Sequence, residues 1–207
     1  MNPAERQWVW GSIAIVGGVG LVLATSRLMR PDAPAPGSPE AAAGPMLRPG
    51  ARVLLVGDSL AQGLAPPLQQ LAKADRIDVV GRGRQSTTIQ QWGQQQAWLQ
   101  QALAEGPFDV VLISLGTNDM KVQSPASEEP AMRSLLSAIV AAGSQPVWIA
   151  PPTMPFPDRG VRALVASADV PTFPSDQLTI PRAGDGIHGT LAGYAGWAGA
   201  IWHWLTV

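Results

Sequence analysis

The chain of 207 residues contains no cysteine and only two histidines, His188 and His203. The absence of cysteine excludes disulfides, thiolate metal sites and a cysteine nucleophile. With so few histidines, a metal site built from several imidazoles is not expected, and we predict no cofactor. Charged residues make up only 14%, and 14 Lys and Arg nearly balance 15 Asp and Glu. Because there is no basic excess, we expect no nucleic-acid partner.

The first 30 residues are typical of a membrane anchor. No charged residue occurs from Gln7 to Ser26, a run of 20 residues, and at about 1.5 Å per residue such a helix spans the roughly 30 Å hydrocarbon layer. A cleaved signal peptide is the alternative. Residues 31–50 contain six prolines and few apolar side chains, which predicts an extended linker. We therefore expect an anchor or signal peptide over 1–30, a linker over 31–50 and a folded domain over 51–207.

Within the domain, short apolar runs alternate with longer stretches that are compatible with helices. Strands are predicted at 52–56, 77–80, 108–114 and 146–150, and helices at 60–73, 88–104, 128–142 and 190–205. Strands that are apolar throughout and alternate with helices indicate a parallel sheet covered on both faces. The predicted fold class is therefore α/β, with three α/β/α layers.

Polar residues follow the first and third predicted strands. Gly57, Asp58 and Ser59 end the first apolar run, and a second polar cluster that includes Asn118 ends the third. In open parallel sheets the carboxyl ends of the strands are where ligands bind. Farther along the chain, the segment DGIH ends in His188, so the sequence holds a hydroxyl, a base and an acid. These residue types are typical of a serine hydrolase.

The polar segments resemble the sequence blocks of the SGNH/GDSL hydrolase superfamily of esterases and lipases. The resemblance covers roughly residues 51–205, with GDSL at 57–60 similar to the first block, GTND at 116–119 to the third and DGIH at 185–188 to the last. The second block departs from the family pattern, because residues 81–88 read GRGRQSTT and Ser86 stands where a glycine is expected. In a shifted register, Gly83 takes that place. The resemblance implies the flavodoxin-like three-layer fold of these hydrolases.

The resemblance also implies a catalytic triad. Ser59 is expected to be the nucleophile, His188 the base that takes its proton, and Asp185 the acid that orients the imidazole. Each residue has a structural alternative: Ser59 or Asp58 can cap a helix, His188 can be a turn or core residue, and Asp185 can belong to an ordinary Asp-Gly turn.

An oxyanion hole is implied by the same blocks. Its expected donors are the backbone N–H groups of Ser59 and Ser86, or of Gly83 in the shifted register, and the side-chain amide of Asn118. The alternative for Asn118 is a plain Asx turn. We assign Asp119 to loop structure rather than to catalysis.

The predicted function is hydrolysis of a carboxylic ester through an acyl-enzyme. We favour a small acyl group, such as acetyl, on a cell-envelope carbohydrate, because the domain is tethered and has no long apolar insertion to shelter a fatty chain. The partners expected are a small-molecule or glycan ester and, through the N-terminal helix, a membrane, with the domain outside the cytoplasm. The alternatives are a lysophospholipase or thioesterase, an acyltransferase that uses the same residues, and a non-catalytic envelope binding protein, which the departure at Ser86 favours. The sequence leaves the oligomeric state open.

Overall fold

Five apolar segments form a parallel sheet in the computed structural model, which describes residues 44–121 and 124–207. The strands are β1 (Arg52–Gly57), β2 (Asp78–Gly83), β3 (Val110–Ser114), β4 (Gln145–Ile149) and β5 (Thr172–Phe173). All neighbouring strands are parallel, and they lie in the order β2-β1-β3-β4-β5. This is the strand order of flavodoxin-like sheets. The prediction of an α/β fold with a parallel sheet is confirmed.

Helices cover both faces of the sheet. They are α1 (Ser59–Ala74), α2 (Ile89–Gln94), α3 (Ala97–Leu103), α4 (Glu129–Ala141), α5 (Val161–Ala166) and α6 (Leu191–Thr206). Alternate residues of β1 belong to two separate cores: Leu54 and Val56 lie in the core with α2 to α5, whereas Val53 and Leu55 lie in the core with α1 and α6. Because both faces are buried in this way, polar residues are left to the carboxyl edge of the sheet.

Residues 88–104 form two helices, so the prediction of a single helix there is wrong. Helix α2 ends at Gln94 and α3 begins at Ala97. Gly93 lies in the last turn of α2, and glycine is a weak helix former. The break lets Trp92 be fully buried, while Trp98 packs edge-on against it with ring centroids 5.9 Å apart.

The sequence does not predict α5 or β5, which are only six and two residues long. Strand β5 has no apolar run of its own and is held at the sheet edge by backbone bonds, including one from the Ala150 N–H to the Phe173 carbonyl at 3.0 Å. Strand β2 extends to Gly83, beyond its predicted end at Val80, because Gly81 and Gly83 continue the pairing with β1.

The predicted anchor and residues 31–43 of the predicted linker lie outside the described residues. In the part of the chain that is described, no helix is both long and apolar enough to cross a bilayer. Residues 44–50, at the end of the predicted linker, contact the domain: the Leu47 N–H donates to the Leu205 carbonyl at 2.7 Å, and Leu47 packs against the core shared by α1 and α6. Packing onto the domain therefore begins before Ala51.

Gly93 and Gly196 form a matched pair for testing helix packing. A Cβ at Gly93 would collide with the Ala131 carbonyl on α4, whereas a Cβ at Gly196 of α6 would meet no atom within 4 Å. We expect Gly93→Ala to lower the free energy of unfolding by about 1–3 kcal/mol and Gly196→Ala to raise it by up to about 1 kcal/mol. Urea unfolding measures both values, and a Gly93→Ala protein as stable as wild type would contradict the close α2–α4 contact.

Candidate active site

Ser59, His188 and Asp185 form one hydrogen-bonded line, although 129 positions separate the first two. The Ser59 Oγ lies 2.9 Å from Nε2 of His188, and Nδ1 of the same imidazole lies 2.6 Å from Oδ2 of Asp185. The His188 and Asp185 side chains are 35% and 47% exposed, so the line lies at the protein surface. The structure therefore brings together the three residues that the sequence nominates as a triad.

The position of Ser59 follows from the turn between β1 and α1. A side chain at Gly57 would collide with the Ser114 carbonyl on β3, so β1 can end this close to its neighbour only with a glycine. Asp58 then caps α1, because its Oδ1 accepts the Leu60 N–H at 2.8 Å. Since Asp58 takes the capping role, the hydroxyl of Ser59 is available to His188.

A short loop before α6 presents Asp185 and His188. Oδ1 of Asp185 accepts the backbone N–H groups of Ile187 and His188, both at 2.9 Å, while Oδ2 faces the imidazole. The turn closes through the Ala183 N–H, which donates to the His188 carbonyl at 2.7 Å. The hydrogen bond from the His188 imidazole and the two from the backbone N–H groups of Ile187 and His188 hold the pKa of the Asp185 carboxyl well below its ordinary value. Asp185 is therefore ionised at neutral pH.

Arg182 supports the same loop and was not singled out by the sequence. Its guanidinium donates to the Ile187 carbonyl at 2.5 Å and to the Thr153 carbonyl at 3.0 Å, so it ties the loop to the segment that follows β4. The contact with Thr153 joins residues 29 positions apart. A single arginine outside any motif carries no signal by which sequence reasoning would find it.

Asn118 lies on the loop after β3, where the sequence predicts it, and contacts Asp58, the residue before Ser59. Its amide Nδ2 donates to the Thr87 carbonyl at 2.9 Å and lies 3.4 Å from Oδ2 of Asp58. Thr87 is itself buried and held in place, because its Oγ1 accepts the Trp92 indole N–H at 2.9 Å and donates to the Arg84 carbonyl at 2.8 Å. Sequence reasoning missed Thr87, although it directly follows the noted departure at Ser86.

Ser86 has the left-handed conformation that a glycine usually adopts, with φ of 60°. The exposed loop after β2 therefore has the backbone conformation expected for the glycine of the family pattern, and Ser86 adopts it with some backbone strain. Among the described residues, neither the Ser86 N–H nor the Ser59 N–H donates a hydrogen bond. Gly83 has a different role: it is the last residue of β2, and a Cβ there would lie 2.8 Å from both the Asp58 carbonyl oxygen and the Gln62 nitrogen.

Three carboxyl groups are buried beneath the site, those of Asp58, Asp119 and Glu128. Burial raises the pKa of Asp58 to about 7, and burial together with the charge of Glu128 raises the pKa of Asp119 to about 7. Asp119 ties the loop to α2, since its Oδ1 accepts the Ile89 N–H at 3.0 Å, while its Oδ2 is buried without a hydrogen-bond partner. Within residues 44–121 and 124–207, no cluster of His, Asp or Glu is arranged to hold a metal ion.

The buried Asp119 makes stability depend on pH. Its pKa is raised from 3.8 to about 7 in the folded state, so the stabilisation from its bound proton is complete below pH 3.8 and is lost as pH rises through 7. We expect the stability of wild type relative to Asp119→Asn to fall by about 2 kcal/mol between pH 5 and pH 8. Urea unfolding at both pH values tests this, with exposed Asp176→Asn as the control. Parallel pH profiles for wild type and Asp119→Asn would contradict it.

Residues 52–160, which include Ser59 and Asn118, match the model of family DUF459, described as a protein of unknown function. None of the curated proteins matches the chain.

Solved structures share the fold at low sequence identity. A candidate GDSL-like lipase from Parabacteroides merdae is 19% identical, with a TM-score of 0.60 over 77% of this chain and 97% of that protein. The acetylxylan esterase Axe2 from Geobacillus stearothermophilus is 17% identical, with a TM-score of 0.58 over 77% and 96%. An alpha/beta hydrolase from the metagenome of Lake Arreo, Spain, is 15% identical, with a TM-score of 0.60 over 78% and 98%.

The GDSL, GTND and DGIH segments predict the fold of the SGNH/GDSL hydrolases, and these structural neighbours share their fold with this chain. The match covers almost the whole length of each neighbour. The family match spans more than half of the chain. The chain therefore belongs to family DUF459, and its domain has the fold of the SGNH/GDSL hydrolases.

Proposed function

We propose that this protein is a serine esterase in which Ser59 attacks the ester carbonyl, His188 accepts the Ser59 proton and Asp185 orients His188. The hydrogen-bonded line of these three side chains is the observation that supports the proposal. Its distances of 2.9 and 2.6 Å are within the range at which a positioned base takes a proton. A serine, an imidazole and a carboxylate in this order are the groups that activate a hydroxyl for acyl transfer.

Proton transfer between Ser59 and His188 takes part in both steps of the reaction, acylation of Ser59 and hydrolysis of the acyl-enzyme. As Oγ of Ser59 bonds to the carbonyl carbon, its proton moves to Nε2 of His188 and the carbonyl oxygen becomes an oxyanion. When the oxyanion collapses, the bond to the alcohol breaks and the alcohol leaves with that proton. Water then attacks the acyl group by the same route, and release of the acid returns the proton to Ser59.

Asp185 stabilises the charged state of His188 in both steps. Because its pKa lies well below the ordinary value, its carboxylate stays negative while the imidazole becomes positive. Its second oxygen accepts two backbone N–H groups, so the carboxylate cannot rotate without losing those bonds. The carboxylate therefore selects the imidazole tautomer that leaves Nε2 free to accept the proton.

The oxyanion is stabilised by the N–H groups of Ser59 and Ser86 and by the amide of Asn118 in this mechanism. The two N–H groups have no acceptor among the described residues, which is what donors awaiting a transient charge require. Asn118 is held by the Thr87 carbonyl at 2.9 Å, and its second amide hydrogen, which faces Oδ2 of Asp58 at 3.4 Å, would leave that longer contact to bind the oxyanion. A serine at position 86 supplies the same backbone N–H as a glycine, so the departure at this position is compatible with catalysis and does not by itself favour a non-catalytic binding protein.

We favour a small acyl group on a carbohydrate as the substrate. One structural neighbour is an acetylxylan esterase, and among the described residues no long helical insertion interrupts the alternation of strands and helices to shelter a long acyl chain. An acyltransferase would use the same residues, with a sugar hydroxyl in place of water. Product analysis with an added acceptor separates the two reactions.

Replacement of the proposed catalytic residues should abolish ester hydrolysis. For p-nitrophenyl acetate we expect Ser59→Ala and His188→Ala to lower kcat/KM by at least about 10³-fold, and Asn118→Ala by about 10²–10³-fold, since it removes one oxyanion donor. His203→Ala is the matched control, because His203 is the other histidine and is exposed on α6. Wild-type turnover no faster than that of Ser59→Ala on acetyl, butyryl and octanoyl esters would refute the esterase proposal.

We also propose that the N-terminal segment anchors the domain on the extracytoplasmic side of a membrane, where an envelope carbohydrate is accessible. The basis is the uncharged run from Gln7 to Ser26. A reporter that is active only outside the cytoplasm, fused after Val207, should be active. Activity of a cytoplasmic reporter at the same position, with silence of the first, would exclude an envelope substrate.

A further inference from the structure

A cleft of about 770 Å³ opens beside the candidate active site. It is lined by Gly83, Ser86 and Thr87 from the end of β2 and the loop that follows, and by α3 on the far side. Gln62, in the first turn of α1 after Ser59, also lines it, and its amide donates to the Gly83 carbonyl at 3.2 Å. One of the proposed oxyanion donors, Ser86, therefore lines the cleft, so the cleft is close enough to the candidate active site to hold the rest of an ester substrate.

Polar and apolar surface contribute about equally to the lining of the cleft, and amides dominate the polar part. Four glutamines supply these amides, and two tryptophans and one alanine supply most of the apolar surface: Gln62, Gln85, Gln91, Gln101, Trp92, Trp98 and Ala102. No hydrogen bond of the Gln85 or Gln101 side chain is found among the described residues. A long acyl chain would leave such amides without partners, whereas sugar hydroxyls would satisfy them.

The two arginines of the cleft differ in whether a carboxylate pairs with their charge. The Arg82 guanidinium forms a two-point ion pair with Glu105 and also donates to the Gly81 carbonyl at 2.7 Å. Arg84 has no carboxylate partner among the described residues. Its guanidinium lies 4.6 Å from the centroid of the Trp98 ring, which packs edge-on against buried Trp92. The cleft thus presents one unpaired, aromatic-supported guanidinium.

We propose that this cleft binds the alcohol part of the ester substrate and that this part is an anionic saccharide. Arg84 binds its carboxylate or phosphate, and the amides of Gln85 and Gln101 bind its hydroxyls. The inference rests on the proposed esterase activity, since it assigns the alcohol side of the same site. It goes further because it specifies a charged sugar, which neither the fold nor the candidate triad requires.

The test compares the full-length protein on acetylated glucuronic acid, its neutral methyl ester and acetylated glucose 6-phosphate. We expect wild type to favour the acid over the methyl ester by about tenfold in kcat/KM, as one charge-assisted hydrogen bond would give. Arg84→Gln should bring this ratio close to one, whereas Arg133→Gln on the α4 surface should keep it. The phosphate arm shows whether the cleft prefers a carboxylate or a phosphate.

A second pair of variants tests the cleft without removing Arg84. Gln101 lines the cleft, whereas its neighbour Gln100 on α3 does not. Gln101→Glu places a negative charge in the cleft, so we expect it to lower the ratio for the acid over the methyl ester severalfold. Gln100→Glu adds the same charge outside the cleft and should leave the ratio at the wild-type value.

The results separate the two proposals. A ratio near one in wild type, together with acetyl hydrolysis that depends on Ser59, overturns the anionic-saccharide inference and keeps the esterase. If no ester is hydrolysed, the esterase proposal fails, and calorimetric binding of a glucuronic acid trisaccharide to Ser59→Ala protein decides the cleft. Binding at least about tenfold weaker after Arg84→Gln supports the cleft as an anionic-sugar site, and equal or absent binding overturns it.

Discussion

The close approach of β1 to β3 at Gly57 is the constraint on which the candidate site depends. Only a residue without a side chain fits against the Ser114 carbonyl at this point. The chain can therefore turn directly from the sheet into α1, with Asp58 as the cap and Ser59 as the first helical residue. That turn places the Ser59 hydroxyl at the carboxyl edge of the sheet, where loops from distant parts of the chain converge.

Two carboxyl groups near Ser59 have opposite environments and opposite consequences. Asp185 is about half exposed and accepts three hydrogen bonds, so its pKa falls and it stays charged beside His188. Asp58 is buried, so desolvation raises its pKa to about 7. The exposed acid suits a role in catalysis, whereas the buried one organises the helix start. Such separation of neighbouring acids is a recurring feature of hydrolytic sites.

The polar network beneath the site links the loops that carry the proposed oxyanion donors. Asn118 after β3 bonds to Thr87 after β2, and Thr87 is held by the indole of Trp92 in α2. Asp119 adds a second link, from the β3 loop to the Ile89 N–H. Because buried polar groups are costly when unpaired, these mutual bonds keep the two loops in one arrangement. The loop after β2 also lines the cleft in which Arg84 lies.

The sequence by itself determined the alternation of strands and helices and the residues of the proposed triad. Apolar runs indicate strands that are buried on both faces of a parallel sheet. The GDSL and DGIH segments each place the residue types needed for catalysis within four consecutive positions. Tertiary structure decided what depends on contacts between distant segments: the break between α2 and α3, the two-residue strand β5, the support of the His188 loop by Arg182, and which of Arg82 and Arg84 keeps its charge unpaired. Local sequence cannot report these features, because each depends on a partner many residues away, such as Glu105 for Arg82.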